Sequence, residues 1–222
     1  MISIAIPVCI TSAAQEEKLF QLLESIAKQD YKDYEVVISD NNPVYWDNER
    51  INQQLARFDF KIFYDWNPIL GVSANTNNAI EKCAYDKVKI MYHDDLFLTS
   101  DALGLFSAAL SRYGWVISDS YYIGANGLQM GLNSAYYSPY WRGSNTVGMP
   151  SVVGFSKNGR FSFDTTLKTL LDVDFYNQLY VSYGLPYHIR KPIIGQRIWG
   201  ESVSAKQPDF AAEEIERMKK GA

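Results

Sequence analysis

A chain of 222 residues, 47% hydrophobic, fits one α/β domain with a modest extension and carries too much apolar surface for disorder to be the default. A net charge of −4 and a pI near 5.2 argue against a general nucleic-acid binder, which needs a basic face to displace counterions. No apolar run reaches the ~18 residues of a membrane span, residues 2–10 lack the basic lead of a signal peptide, and two histidines are too few for a histidine-based metal site, so a cytoplasmic location is expected.

Residues 3–8 are a short β-branched run, expected as a buried first strand whose ladder stops near Pro7. Ser12-Ala-Ala-Gln15 has capping-box spacing, and Leu19, Leu22, Leu23 and Ile26 behind it share one helical face. A second strand over 34–39 ends at Asp40-Asn41-Asn42-Pro43. Strand, helix and strand at this spacing form a βαβ unit with parallel strands. Ile51, Leu55 and Phe58 predict a weaker helix over 47–58, followed by a strand over 60–64, a loop at Asn67-Pro-Ile-Leu-Gly71 and a helix over 73–84. Asn75, Asn77 and Asn78 crowd the start of that helix, where amides are poor helix formers. Capping accounts for one of them; the others need polar partners.

Residues 88–92 read as a buried apolar strand that ends in adjacent carboxylates, Asp94 and Asp95. Two unpaired acids there repel each other and cost desolvation energy. Either a divalent cation relieves them, or they cap the next helix in solvent. That helix is expected from residue 99 or 100, with Leu103, Phe106 and Leu110 on one face. The alternation then breaks: a strand over 115–123, a tight turn at Ala125-Asn-Gly127, an aromatic loop over 133–148, a strand over 151–156 and a hairpin turn at Lys157-Asn-Gly-Arg160. A helix over 171–183 opens with Asp172 and Asp174, short strands follow over 187–189 and 193–199, and a polar helix over 209–220 closes the chain. Cys9 and Cys83 are expected as reduced core thiols.

Ligands of an open parallel sheet gather at the carboxyl ends of its strands. Pro7 with Cys9, Asp40, Asn67, and Asp94 with Asp95 close successive strands, so these clusters should meet on one rim. A carboxylate, amides and a cation site together suit a nucleoside diphosphate. Asp40 could accept a ring N–H of uracil or guanine, or could simply form a turn with Asn41 and Pro43. Neither a phosphate-binding glycine pattern nor a Gly-x-Ser-x-Gly elbow occurs, which disfavours P-loop enzymes, nicotinamide dehydrogenases and serine hydrolases.

Ser3-Ile-Ala-Ile-Pro7, Val36-Val-Ile-Ser-Asp40-Asn, Asn67-Pro-Ile-Leu-Gly71-Val-Ser-Ala-Asn-Thr-Asn77 and Ile90-Met-Tyr-His-Asp94-Asp95 follow one another. Gly148-Met-Pro-Ser151, Phe163-Asp164, Leu171-Asp172-Val-Asp174-Phe and Arg197-Ile-Trp-Gly-Glu-Ser-Val-Ser204 continue the series. As an ordered set over roughly residues 1–205 they resemble a family-2 glycosyltransferase of the GT-A fold. The resemblance implies an α/β fold with a Rossmann-like, mostly parallel sheet flanked by helices and an irregular C-terminal acceptor side. It implies one domain over 1–222, with a nucleotide-sugar half (1–98), an acceptor-side half (99–205) and a terminal helix (206–222). The implied reaction is inverting, hexosyltransferase-type transfer from a UDP- or GDP-sugar to a carbohydrate or lipid-linked glycan acceptor, assisted by Mn²⁺ or Mg²⁺.

By the same resemblance, Pro7, Cys9, Asp40, Gly71, Asn75 and Asn77 lie along the donor nucleotide. Asp94 sits near ribose and metal, and Asp95 is the direct metal ligand. Asp172 matches the catalytic base in preference to Asp174. Trp141, Pro150, Ser151, Asp174, Arg197 and Trp199 face the sugar or acceptor, with Arg197 offering charge to phosphate. His93 stands where the first Asp of the family's Asp-x-Asp motif often does, and Trp199 where some relatives carry a histidine. Two other readings share the layout. One is a sugar nucleotidyltransferase, whose glycine- and basic-rich loop after strand one is missing here. The other is a binding module without turnover on the same scaffold.

Overall fold

β1 (Ile2–Val8) and β2 (Tyr34–Asp40) are buried along their whole length, as runs of β-branched residues covered on both faces should be. The computed structural model describes residues 1–42, 48–138, 143–200 and 210–220, with β1 and β2 at the heart of the first segment. They pair in parallel through Val8 and Asp40, so Pro7 does not end this ladder. Pro7 directs its missing N–H toward the other neighbour, β4 (Lys87–Ile90), whose pairing with β1 has already stopped at Ala5. Between β1 and β2, α1 (Ala13–Ala27) starts where Ser12 Oγ accepts the Gln15 N–H at 3.3 Å, while Gln15 Oε1 reaches back to the Thr11 N–H at 2.7 Å. Leu19, Leu22, Leu23 and Ile26 are fully buried, each contributing ~1.5–3 kcal/mol of apolar transfer.

α2 (Asn48–Leu55) buries Ile51 and Leu55, and β3 (Ile62–Trp66) adds to the edge of β2. α3 (Val72–Lys82) packs on β1 and β2. After β4 come a two-residue strand, β5 (Leu96–Phe97), and α4 (Ala102–Leu110) with Leu103, Phe106 and Leu110 buried. β6 (Trp115–Ile123) turns back at Gly124–Gly127 into β7 (Gln129–Asn133). A 3₁₀ turn (Pro150–Val152), β8 (Val153–Ser156), α5 (Leu171–Tyr183), β9 (Tyr187–Arg197) and α6 (Ala211–Lys220) complete the described chain.

The strands form one sheet in the order β3-β2-β1-β4-β8-β6-β9-β5, with β7 on the side of β6. β1, β2, β3, β4, β6 and β9 share one direction, and β5, β7 and β8 oppose it, so the sheet is mostly parallel.

Further sequence expectations change. The two short strands near the C-terminus are one, β9, because register shifts against Asp119 of β6 absorb Pro192. Lys157-Asn-Gly-Arg160 turns into a loop, not a strand, because Asn77 satisfies both the N–H and the C=O of Phe163. The stretch between the expected turn at 125–127 and the loop expected from Asn133, together with Asn133 itself, forms strand β7. Cys9 is exposed where the chain leaves β1, and only Cys83 lies in the core. Trp141, Pro43 and residues 201–209 lie outside the described residues.

Candidate active site

Because β1 lies between β2 and β4, the tips that carry Asp40 and Asp94–Asp95 leave the same rim on either side of it. The N–H of Met91 donates to Ala5 O at 2.9 Å, and that of Asn41 to Val8 O at 3.2 Å. The convergence expected from the sequence is therefore present.

On the β2 side, Asp40 is fully buried and burial raises its pKa. Two hydrogen bonds oppose that rise: Tyr64 donates its hydroxyl to Oδ2 at 2.6 Å, and the Asn42 N–H donates to Oδ1 at 2.8 Å. The second bond is the turn expected as the plain alternative for this residue. The asparagines of α3 find protein partners rather than a helix cap. Asn75 donates to Val8 O at 2.8 Å and accepts from Ser39 Oγ at 2.6 Å, tying the tips of β1 and β2 together. Asn77 clamps Phe163 with bonds of 2.7 and 2.9 Å, and Asn78 donates to Ser39 and Asp65. Gly71, just before α3, has φ +114°, a conformation that favours glycine, and a Cβ there would meet only open space. Its N–H is held at 3.1 Å by the Asn41 carboxamide.

On the β4 side, the acid turn is built from distant segments. Asp95 is fully buried: Oδ1 accepts the Arg197 N–H at 2.7 Å, while Oδ2 has no hydrogen-bond partner among the described residues. Burial first and Asp94 second push its carboxyl up to about 8, against the Ser151 hydroxyl, the Arg197 amide and Lys89. Trp199 donates its indole N–H to Asp94 Oδ2 at 2.9 Å, so the residue at the relatives' histidine position holds an acid instead of offering a ligand. Ser151, also fully buried, accepts the Tyr92 N–H at 2.9 Å and fixes the turn after β4, with Pro150 opening the 3₁₀ turn before it.

Arg197 does not occupy the acceptor-side place expected of it. It is 1% exposed, and its guanidinium donates to the carbonyls of Asp94, Gly124 and Ala125 and to Gln21, bracing the acid turn with no open face for phosphate. Lys89, hidden in what reads as an apolar strand, is equally buried. Its ammonium donates to the carbonyls of Ile90, Ser151 and Val153 and lies over the Phe106 ring, 4.5 Å from its centroid.

α5 brings Asp172 to the same place. Burial raises its carboxyl to about 7, and Oδ1 has no partner among the described residues. The phenol of Tyr92 lies within the electrostatic reach of Asp172, Asp95 and Asp94, and burial followed by Asp172 lifts its pKa well above 10. His93 is held below its usual pKa by burial, so it is neutral at pH 7. Asp174 looks elsewhere: Gln178 donates to its Oδ2 at 2.7 Å, and its charged neighbours are Asp164 and Arg217. The opening of α5 is anchored from outside. Glu214 of α6 accepts the N–H groups of Lys168, Thr169 and Leu170 at 2.7, 3.0 and 2.8 Å, a carboxylate cap reached across the fold.

A divalent cation fits this arrangement. Asp95 Oδ2 is a buried carboxylate oxygen without a donor, next to a second carboxylate, and hard cations take such oxygens. Among the described residues no third His, Cys, Asp or Glu completes a cation site. Sequence reasoning passed over Tyr92 and Lys89, whose only signal was a polar atom lodged in a buried run.

Solved structures share the fold. TarS (residues 1–349) from S. aureus, in complex with UDP-GlcNAc, superposes with a TM-score of 0.74 at 17% identity, covering 97% of this chain and 64% of that one. The mannosyltransferase PcManGT from Pyrobaculum calidifontis, in complex with GDP-Man and Mn²⁺, gives 0.58 at 19% identity over 86% of this chain and 54% of that one. Among curated proteins, the GalNAc(5)-diNAcBac-PP-undecaprenol beta-1,3-glucosyltransferase of Campylobacter jejuni is 29% identical over 103 residues, 46% of this chain. The chain spans about a third of that relative's length, since the match covers 33% of it. No helix among the described residues is long and apolar enough to cross a membrane. The family model for glycosyl transferase family 2 matches residues 3–171, most of the sequence, and the chain belongs to that family.

Proposed function

We propose that this protein transfers a sugar from a nucleoside-diphosphate sugar to an acceptor hydroxyl, with inversion and with the help of Mn²⁺ or Mg²⁺. One observation carries the reading. Tyr92 Oη, His93 Nε2, Asp95 Oδ2 and Asp172 Oδ1 are all shut from solvent without hydrogen-bond partners among the described residues, and they belong to two segments that meet. Buried polar atoms are ordinarily paired, so a cluster of orphans marks a place built for a bound group.

The roles follow from chemistry. Asp40 takes the base, with Pro7 and Cys9 along the nucleoside and Gly71, Asn75 and Asn77 behind the donor. Asp95 holds the cation, which when bound offsets the charge gathering on the departing diphosphate. Asp172 accepts the acceptor's proton; its hydroxyl oxygen bonds to the anomeric carbon as the bond from that carbon to the diphosphate oxygen breaks. A base whose pKa is lifted to about 7 is matched to that task near neutral pH. Attack opposite the leaving group gives inversion. Neighbours of the same fold hold UDP-GlcNAc and GDP-Man, and the Campylobacter relative's name places its sugars on an undecaprenol diphosphate, which supports a hexosyl donor and a lipid-linked glycan acceptor. A cytoplasmic site of action suits that donor.

Trp199 on Asp94 favours one second reading, a nucleotide-sugar-binding module without turnover. Calorimetric titration of UDP and GDP with and without Mn²⁺ tests the site. Metal-dependent binding that Asp95→Ala abolishes supports it, whereas binding indifferent to metal refutes it. Turnover lost in Asp172→Asn with binding intact then separates the enzyme from the module.

A further inference from the structure

The orphaned atoms differ in what they can accept. Asp95 Oδ2 and Asp172 Oδ1, once ionised, are acceptors only: a cation suits the first and an acceptor hydroxyl the second. Tyr92 Oη carries a proton to give; the hydroxyl nearest it, that of Thr76, donates to Val72 O at 2.8 Å, and neither a cation nor the proton arriving at Asp172 satisfies the phenol. The backbone around it is fixed, since the Tyr92 N–H is tied to Ser151 Oγ at 2.9 Å and that of the preceding residue, Met91, to Ala5 O at 2.9 Å. The phenol lies within electrostatic reach of Asp172 first, and then of the Asp95 and Asp94 carboxylates. In the reaction proposed above, the group that lies between base and cation is the sugar being moved.

We propose that Tyr92 donates its phenolic hydrogen bond to a hydroxyl of the transferred sugar, and so serves as a specificity-determining residue between Asp172 and the Asp94–Asp95 pair. The inference rests on the donor-site reading, but the nucleotide itself does not depend on Tyr92. A diphosphate would sit with the cation, whereas the phenol's strongest charged neighbour is Asp172 and not Asp95.

Tyr92→Phe keeps the ring and removes only the donor. In the presence of Mn²⁺, Kd is measured for UDP, UDP-GlcNAc, GDP and GDP-mannose on both proteins, with melting curves to check the fold. The expected result is a loss of about 10- to 100-fold for the nucleotide sugar that wild type binds, with the matching free nucleoside diphosphate changed by less than about twofold. Monodeoxy versions of that donor give a readout without the variant. One ring position should cost wild type the same factor and cost Tyr92→Phe nothing further. Equal effects on sugar and free nucleotide, no effect on either, or deoxy losses that add to the Phe loss at every position would each overturn the assignment. A wild type that binds the nucleotide but gains nothing from the sugar overturns Tyr92 alone. A wild type that binds neither nucleotide removes the donor site and this assignment with it.

Discussion

Replacing Asp95 with Asn separates a carboxylate kept for a cation from one kept for stability. Without a cation, Asp95 has one oxygen on the Arg197 N–H and the other on nothing, and burial with Asp94 pushes its pKa from 3.8 to about 8. A raised folded pKa favours the neutral acid. Its stabilising effect is complete below pH 3.8 and is lost as pH climbs through about 8, so the metal-free wild type should weaken steadily across that window. At ~1.4 kcal/mol for each pH unit the loss is capped at ~6 kcal/mol, and relaxation around buried charges brings measured penalties down to a few kcal/mol. An Asn keeps the acceptor for Arg197 and never ionises. In EDTA at pH 8.5, Asp95→Asn should therefore unfold ~2–3 kcal/mol later than wild type, raising Tm by about 5–10 °C, with the gap closing toward pH 5. Adding Mn²⁺ and UDP at a hundred times Kd should stabilise wild type by ~2.7 kcal/mol and leave the variant unmoved. Calorimetric melts across pH 5–9 test both halves. A wild-type Tm flat over that range, or a variant less stable than wild type at pH 8.5, would refute the reasoning.

The other residues give sharper single outcomes. Asp172→Asn should lower turnover by about 10²- to 10⁴-fold while sparing nucleotide binding. Because its raised pKa keeps the base protonated below about 7, wild-type kcat/KM should rise with pH through that value, a limb that a pH–rate profile would show or fail to show. Lys89→Ala strands the carbonyls of Ile90, Ser151 and Val153 and opens a hole beside Phe106; urea unfolding should register ~3–5 kcal/mol, and a loss under ~1 kcal/mol would mean that the lysine is not the core brace it looks. Glu214→Ala frees three N–H groups at the opening of α5, so trypsin should cut at Arg217 faster and stability should drop by ~2 kcal/mol. Unchanged proteolysis would show that α6 is held by its other contacts.

What the sequence revealed and what it concealed divide along physical lines. β1, β2 and the face of α1 were legible because burial on both sides of a parallel strand, or on one side of a helix, imposes a periodicity that local composition must obey. β5 was not, since two residues pair with Gly195 and Ile194 of β9 only once the chain has folded. β7 escaped because Met130 and Leu132 alternate correctly but stay exposed, so burial never marks them out. Asp94 and Asp95 stand out because adjacent carboxylates after an apolar run are conspicuous, and Asp172 is singled out from Asp174 only by the family resemblance. Their helpers do not stand out. The crowded amides of α3 announce that they need partners, yet the partner of Asn77 is the backbone of Phe163, 86 residues on. Arg197 promises a cation for phosphate until Gly124, Ala125 and Gln21 claim its donors. Tyr92 and Lys89 occupy neighbouring stretches of one strand and its exit, and sequence treats them alike as interruptions of an apolar run. The fold separates them by their hydrogen bonds: Lys89 finds carbonyls for its ammonium and becomes structure, while Tyr92 Oη, with only the Thr76 hydroxyl near it, makes no hydrogen bond and is left for a ligand. Which of two buried polar residues is functional is thus decided by whether the protein itself can satisfy it, a property of the assembled core that no spacing of letters encodes.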